Sequence, residues 1–245
     1  GITALVLPEY RGQNVMSQLS APMWADYESR KLAGLHLYGV TIHDASQRKS
    51  LDGGAVVTGL LTHDWPGDYR ASGFEPVGLP RMPIVTMFMR FHGSPMPARD
   101  IWVPERHQGA LNDMYRAMGA ERTFQATERG PVGTTKSRII EKPAQQQATL
   151  RIDRIGTDAQ KQIEEFLGQY ETLAAQYVDI PLTDAAAKAL IEDLEQSSWL
   201  FGCLLPERQN TDYLRMQKVE ILDNWGSVVL DPRVSAIRQH ITGCA

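Results

Sequence analysis

One pattern occurs twice and constrains the fold of this chain more than any other feature. Gly39-Val40-Thr41-Ile42-His43-Asp44-Ala45 leads into a helix and then to Gly59-Leu60-Leu61. Val178-Asp179-Ile180-Pro181-Leu182-Thr183-Asp184-Ala185 leads into a helix and then to Gly202-Cys203-Leu204-Leu205. In both copies a strand ends at an Asp-Ala helix start and a second strand follows. A further strand and a longer amphipathic helix precede each copy. A strand–helix–strand–helix–strand unit has an apolar sheet face that packed helices must cover, so an α/β fold is expected.

Composition narrows the class. At 245 residues the chain is long for one domain and sufficient for two small ones. A formal charge of −4 gives no electrostatic case for nucleic acid or an anionic membrane. No apolar run approaches the roughly 18 residues of a membrane span. The cysteines, Cys203 and Cys244, form neither a disulfide framework nor a zinc spacing, and a reducing cytoplasm is the simplest home. The chain begins at Gly1 rather than Met, so a missing native N-terminus is expected.

Periodicity assigns the elements. Residues 2–7 read as a buried strand. A helix follows over 15–32, with Val15, Leu19, Met23 and Tyr27 at steps of four, Pro22 as a kink or early end, and Gly34 as a stop. Strands are expected over 35–42 and 56–61, flanking a short helix capped by Asp44 and ended by Gly53-Gly54. Residues 62–81 are rich in Gly, Pro and Asp and read as a loop. Beyond it come a strand from Ile84, a helix opened by Val103-Pro104 and closed at Gly119, and strands over 122–127, 134–141 and 149–155. Thr157 and Gln160 fit a capping box for the next helix. Further strands are expected over 177–182, 199–205 and 213–221, with a helix over 184–196 and a short one over 232–241.

The start of the chain, Ile2-Thr3-Ala4-Leu5-Val6-Leu7-Pro8-Glu9-Tyr10-Arg11-Gly12-Gln13-Asn14-Val15-Met16, orders a strand, a tight loop and a helix N-terminus. Free N–H groups and the helix dipole make such a loop a candidate phosphate cradle. The stretch resembles the acetyl-CoA pyrophosphate loop of the GCN5-related N-acetyltransferase (GNAT) superfamily. Pro8, Tyr10, Arg11 and Gly12 match its pattern, while Asn14 and Met16 replace its two loop glycines. The resemblance is closest to tandem GNAT-like bacterial proteins and rests on blocks in a fixed order. These are Ser46-Gln47-Arg48, Thr58-Gly59-Leu60-Leu61, Trp102-Val103-Pro104-Glu105-Arg106, Leu204-Leu205-Pro206-Glu207 and Asp212-Tyr213-Leu214-Arg215-Met216-Gln217.

That resemblance implies two GNAT-like modules, each a mixed β-sheet flanked by helices. Residues 1–62 would be the C-terminal half of a first, incomplete module, 63–81 a linker, and 82–245 a second, degenerate module. It implies acetyl-CoA or another acyl-CoA as cofactor, with Leu5, Val6 and Leu7 beside the pantetheine and Arg11, Gly12, Gln13, Asn14, Val15 and Met16 offering N–H groups to the pyrophosphate. Acyl transfer to a small-molecule or protein amine would follow in a ternary complex. The alternative is an inactive pair serving as a ligand sensor or interaction module. Strand edges and pseudo-symmetric packing leave room for a homodimer.

No catalytic residue emerges. The family's acidic tyrosine falls at Ser50, a poor proton donor to sulfur, and at Leu194 in the second module, which donates nothing. The second loop, Arg154-Ile155-Gly156-Thr157-Asp158-Ala159, lacks fitting glycines and implies a non-catalytic partner. Glu9 and Asp44 lie near the expected cleft, the first as a solvated loop residue and the second as a helix cap. His36, His43 and His63 lack a metal spacing and read as strand-face or surface histidines. Tyr38, Trp65 and Trp102 are pocket-lining aromatics or core.

Overall fold

The computed structural model of the chain describes residues 6–69, 78–91, 93, 96–219 and 225–243. Its strands are β1 (Gly34–Val40), β2 (Val56–Pro66), β3 (Arg81–Arg90), β4 (Arg99–Ile101), β5 (Arg122–Phe124), β6 (Lys136–Lys142), β7 (Gln147–Arg154), β8 (Ala175–Pro181), β9 (Leu200–Arg208) and β10 (Thr211–Lys218). Its helices are α1 (Val15–Ser29), α2 (Ala45–Asp52), α3 (Glu105–Met118), α4 (Ala159–Gln169), α5 (Ala187–Gln196) and α6 (Ser235–Gly243). Eight strands form one mixed sheet in the order β1-β3-β2-β9-β10-β8-β7-β6, and β4 and β5 make a small parallel pair.

The sequence repeat is visible in this order. The run α1-β1-α2-β2-β3 and the run α4-β8-α5-β9-β10 place their strands alike, as β2, β3, β1 and β9, β10, β8 outward from a common seam. The seam is the register pair Gly59↔Cys203. A Cβ on Gly59 would lie 2.2 Å from the Gly202 carbonyl oxygen, so glycine is what lets the two strands approach. Where the ladder is sparse, the Gln217 side chain replaces it. It accepts from the Thr62 N–H and donates to the carbonyls of Leu60 and Phe201.

Strand alternation divides the sheet into two unlike faces. Leu60, Val85, Leu150, Val178, Leu204 and Leu214 form the main apolar core with Tyr115 of α3, Phe166 of α4, Leu190 of α5 and Ile237 of α6. Their neighbours Leu61, Tyr177, Cys203, Leu205 and Tyr213 lie on the opposite face in a separate cluster. That second face is buried yet polar, and the sheet curls around it. The Gln147 side chain of β7 and the Arg81 side chain of β3 both donate to the Asp64 carbonyl of β2, while Tyr177 Oη of β8 donates to the Asp64 carboxylate at 3.0 Å.

Several expectations need correction. Residues 62–66 are strand rather than loop, and residues 82–90 pair with β2 and β1. Residues 2–5 of the expected first strand, Leu5 among them, lie outside the described residues; Val6 and Leu7 are not strand, and Leu7 is exposed. Helix α1 ends at Ser29, continues through Pro22, and buries no residue; Leu19 is exposed. Gly34 is not a helix stop but the first residue of β1, packed under Phe88. The Asp44 side chain does not cap α2 and instead pairs with Arg48 at 3.1 Å. The capping box at Thr157 is absent: Asp158 is the N-cap, and Gln160 reaches Asp193 instead.

Candidate functional site

The loop before α1 has the backbone of a tight turn. Gly12 and Asn14 are left-handed, at φ 77° and 56°. Asparagine tolerates that region better than most side chains. No side chain caps the helix, and Arg11, Gly12, Gln13 and Asn14 are exposed; Val15 and Met16 are half-buried. The loop side chains bond within the loop: Arg11 Nε donates to the Val6 carbonyl and Gln13 Nε2 to the Glu9 carbonyl. Beside the first turn of α1 lies a cavity of about 490 Å³ lined by Ser17, Ala45, Arg48, Lys49, Asp52 and Gly53. Lys49 Nζ donates to Ser17 Oγ at 2.6 Å, bringing the cationic side of α2 against the N-terminus of α1.

The corresponding loop of the second half is closed. Its N–H groups are taken by the protein: Ile155 by Asp184, Gly156 by the Thr135 hydroxyl, and Thr157 by the Gly133 carbonyl. A Cβ on Gly156 would lie 2.2 Å from the Thr135 nitrogen, which leaves no room for phosphate. The charge is also inverted. Counted back from the last residues of the two helices, α5 carries Glu192 and Asp193 where α2 carries Arg48 and Lys49, and Gln160 donates to Asp193 at 3.2 Å. Strands β7 and β8 run in parallel from Gln147↔Ala175 to Arg151↔Asp179 and then part. Beyond that point the chain itself bonds to the continuation of β8, Trp102 N–H to the Leu182 carbonyl at 2.9 Å.

The buried polar face holds a second group of chemistry-bearing residues. Asp179 accepts from Arg151 on β7 and from Arg215 on β10, and the two guanidinium groups lie over the rings of Tyr213 and Tyr177. The carboxyl of Asp179 is held below its ordinary range because these two arginines outweigh the opposing effect of burial. On β1, at one edge of the sheet, His36 and Tyr38 project to this face; on β6, at the other edge, lies Lys142. Electrostatic coupling to Arg208 and Arg215 links all three. Burial first, then Arg208, lowers His36 to about 4, so the ring is neutral near pH 7. Burial lowers the Lys142 ammonium, and the partial enclosure of Tyr38, a side chain left 43% exposed, raises its phenol. Perturbed groups converging on one face mark a functional-site candidate.

A cavity of about 700 Å³ opens at the end of this face, between the start of β1 and the β9–β10 turn. His36, Arg99, Glu207 and Arg208 supply its polar wall, and Leu32, Phe88, Pro97 and Pro206 its apolar one. Glu207 is already held by Arg99 at 2.6 Å and Arg122 at 2.7 Å, and Arg122 also grips Asp212, which accepts from Tyr115 Oη.

Much of the resemblance is used structurally. Gln47 is fully buried and ties Val40 to Val229 and Asp231. Trp102 Nε1 donates to the Thr127 carbonyl, Glu207 and Asp212 anchor the β9–β10 turn, and Gln217 holds the seam. Ser50 Oγ donates to the Ser46 carbonyl, and Leu194 is core. His36 and Tyr38 were visible in the sequence only as a strand-face histidine and a pocket aromatic; Lys142 and Arg208 carried no signal, because their meeting depends on how the sheet curls. Trp65 packs edge-on against Tyr69, His43 and His63 are half-buried, and no cluster that could hold a metal occurs among the described residues. No helix among them is long and apolar enough to cross a membrane. No family model, curated protein or solved structure matches this chain.

Proposed function

We propose that this chain is a tandem GNAT-like protein whose first unit binds acyl-CoA and passes the acyl group to an amine, while the second unit is its structural partner. The observation that carries this reading is the contrast between two equivalent helix starts. The first keeps an uncapped loop, exposed from Arg11 to Asn14, beside Lys49 and Arg48. The second has its N–H groups engaged and presents Glu192 and Asp193. A pyrophosphate needs N–H donors and a cation, which the backbone of residues 12–16 and Lys49 would supply at the first start. The repeated strand order and the parting of β7 and β8 support the GNAT-like reading of the fold.

In this reading the chain's own residues hold the cofactor and position the thioester, and direct transfer draws its rate from proximity. Thiol release from acetyl-CoA with a mixed panel of amines tests it. Turnover abolished by Lys49→Glu and unaffected by Asp193→Lys supports the assignment of the first unit. Turnover lost only with Asp193→Lys contradicts it.

The environments of Ser50 and Leu194 favour a second reading, a non-catalytic pair that senses a ligand. Neither position supplies an acid to a departing thiolate. Cofactor binding without thiol release would select that reading.

A further inference from the structure

We propose that the 700 Å³ cavity at the open end of the curled sheet binds a small amphipathic acid, its carboxylate on Arg208 and its apolar body against Leu32, Phe88, Pro97 and Pro206. Among the described residues, nearly every other charge on or beside this face is matched: Arg151 and Arg215 by Asp179, Arg99 and Arg122 by Glu207, and Arg81 by backbone carbonyls. Arg208, Lys142 and Lys31, which also lines the cavity, are the exceptions, their side chains making no hydrogen bond or ion pair among the described residues. The Tyr38 hydroxyl is likewise unpartnered there.

Half-buried cations without counter-charges are costly, and their cost is relieved by an anion. The protein as a whole is acidic, at −4, so this surplus of positive charge is local and does not follow from composition. Arg208 lines the cavity itself, while Lys142 and Tyr38 lie farther along the same face. A guanidinium presents a planar fork that fits a carboxylate. His36 also lines the cavity; one ring nitrogen bonds the Pro206 carbonyl, and its neutral state leaves the second as an acceptor or donor for a polar substituent. Apolar walls with a few convergent polar groups are the usual form of a small-molecule site. The cavity lies apart from the loop before α1: its residues come from the segment 31–33 and β1, from β3, from the segment 97–99, and from β9 and the turn after it.

Calorimetric titration of the chain with octanoate tests the inference, with octanol and inorganic phosphate as comparison probes. One saturable octanoate site is expected, with octanol and phosphate each at least tenfold weaker. Arg208→Gln is expected to weaken octanoate at least tenfold, and Lys142→Gln severalfold, while Lys161→Gln on the exposed surface of α4 leaves it unchanged. Octanol binding as tightly as octanoate, phosphate binding more tightly, or unchanged octanoate affinity in Arg208→Gln would each overturn it, as would the absence of saturation. Arg208→Lys, which keeps the charge, serves as a second variant should the glutamine variant melt early; its retention of most of the affinity is expected, and its loss of all affinity while folded counts against the carboxylate contact.

Discussion

Gly59 on β2 sits directly opposite Cys203 on β9, so close that a Cβ on the glycine would lie 2.3 Å from the cysteine Cβ. Two halves with the same strand order thus meet where only hydrogen fits. Gly59→Ala should push the strands apart and cost about 3 kcal/mol, the upper range for overpacking a core. Urea unfolding reads this directly. A loss below about 1 kcal/mol would mean that the seam yields easily.

Cys203 at the same seam is fully buried, and burial raises its thiol to about 12. A thiol that stays protonated and enclosed does not react. The native chain should therefore leave Cys203 unmodified by iodoacetamide, with labelling only after denaturation. Peptide mapping of the alkylated protein distinguishes Cys203 from Cys244. Rapid native labelling of Cys203 would show that the seam opens.

Asp179 is the carboxylate that pairs with both Arg151 and Arg215. Asp179→Asn keeps the shape and removes the charge, leaving two buried guanidinium groups without a counter-ion. Breaking such a group costs about 3–5 kcal/mol. Tm by differential scanning calorimetry should fall accordingly, and a silent substitution would contradict the burial of this network.

Two histidines lower stability as the pH turns acid. Burial and Arg208 hold His36 at about 4, against 6.5 for an unperturbed ring. Burial, then His240 and Arg106, hold His107 at about 3, although Glu195 accepts from its Nε2 at 2.7 Å. Between pH 6.5 and these values the unfolded chain binds protons that the folded chain does not. Stability therefore falls as pH drops through that window and is unaffected by these groups above it. Each contributes a slope of up to about 1.4 kcal/mol per pH unit. Urea midpoints between pH 7 and pH 4 should fall, less steeply in His36→Gln. Equal slopes would show that His36 is not buried as a neutral ring.

The sequence carried the fold where local signals were strong. Pro104 and Gly119 bracket α3 almost as expected, because a fixed φ and a left-handed cap are local requirements. The repeated Asp-Ala helix starts located α2 and α5 to within a turn. Reading failed where a distant partner decides. Leu19 matches a helical stripe yet is exposed, because α1 packs through Met23, Trp24 and Tyr27, the aromatic pair reaching Phe91. The Gly- and Pro-rich run 62–81 reads as a loop, but Arg81 and Gln147 satisfy carbonyls of a bulged β2 and keep residues 62–66 in the sheet. Arg208 and Lys142 are far apart in sequence and on different strands, so the curl of the sheet alone brings them to one face.

Calorimetric titration of the chain with acetyl-CoA tests the central claim most directly, with Arg11→Ala, Asn14→Asp and Lys49→Glu as companions. The account predicts one micromolar site weakened by all three variants, since each removes or opposes positive potential at the loop before α1. Absence of binding by acetyl-CoA, CoA and longer acyl-CoAs, or binding indifferent to these changes, would contradict it.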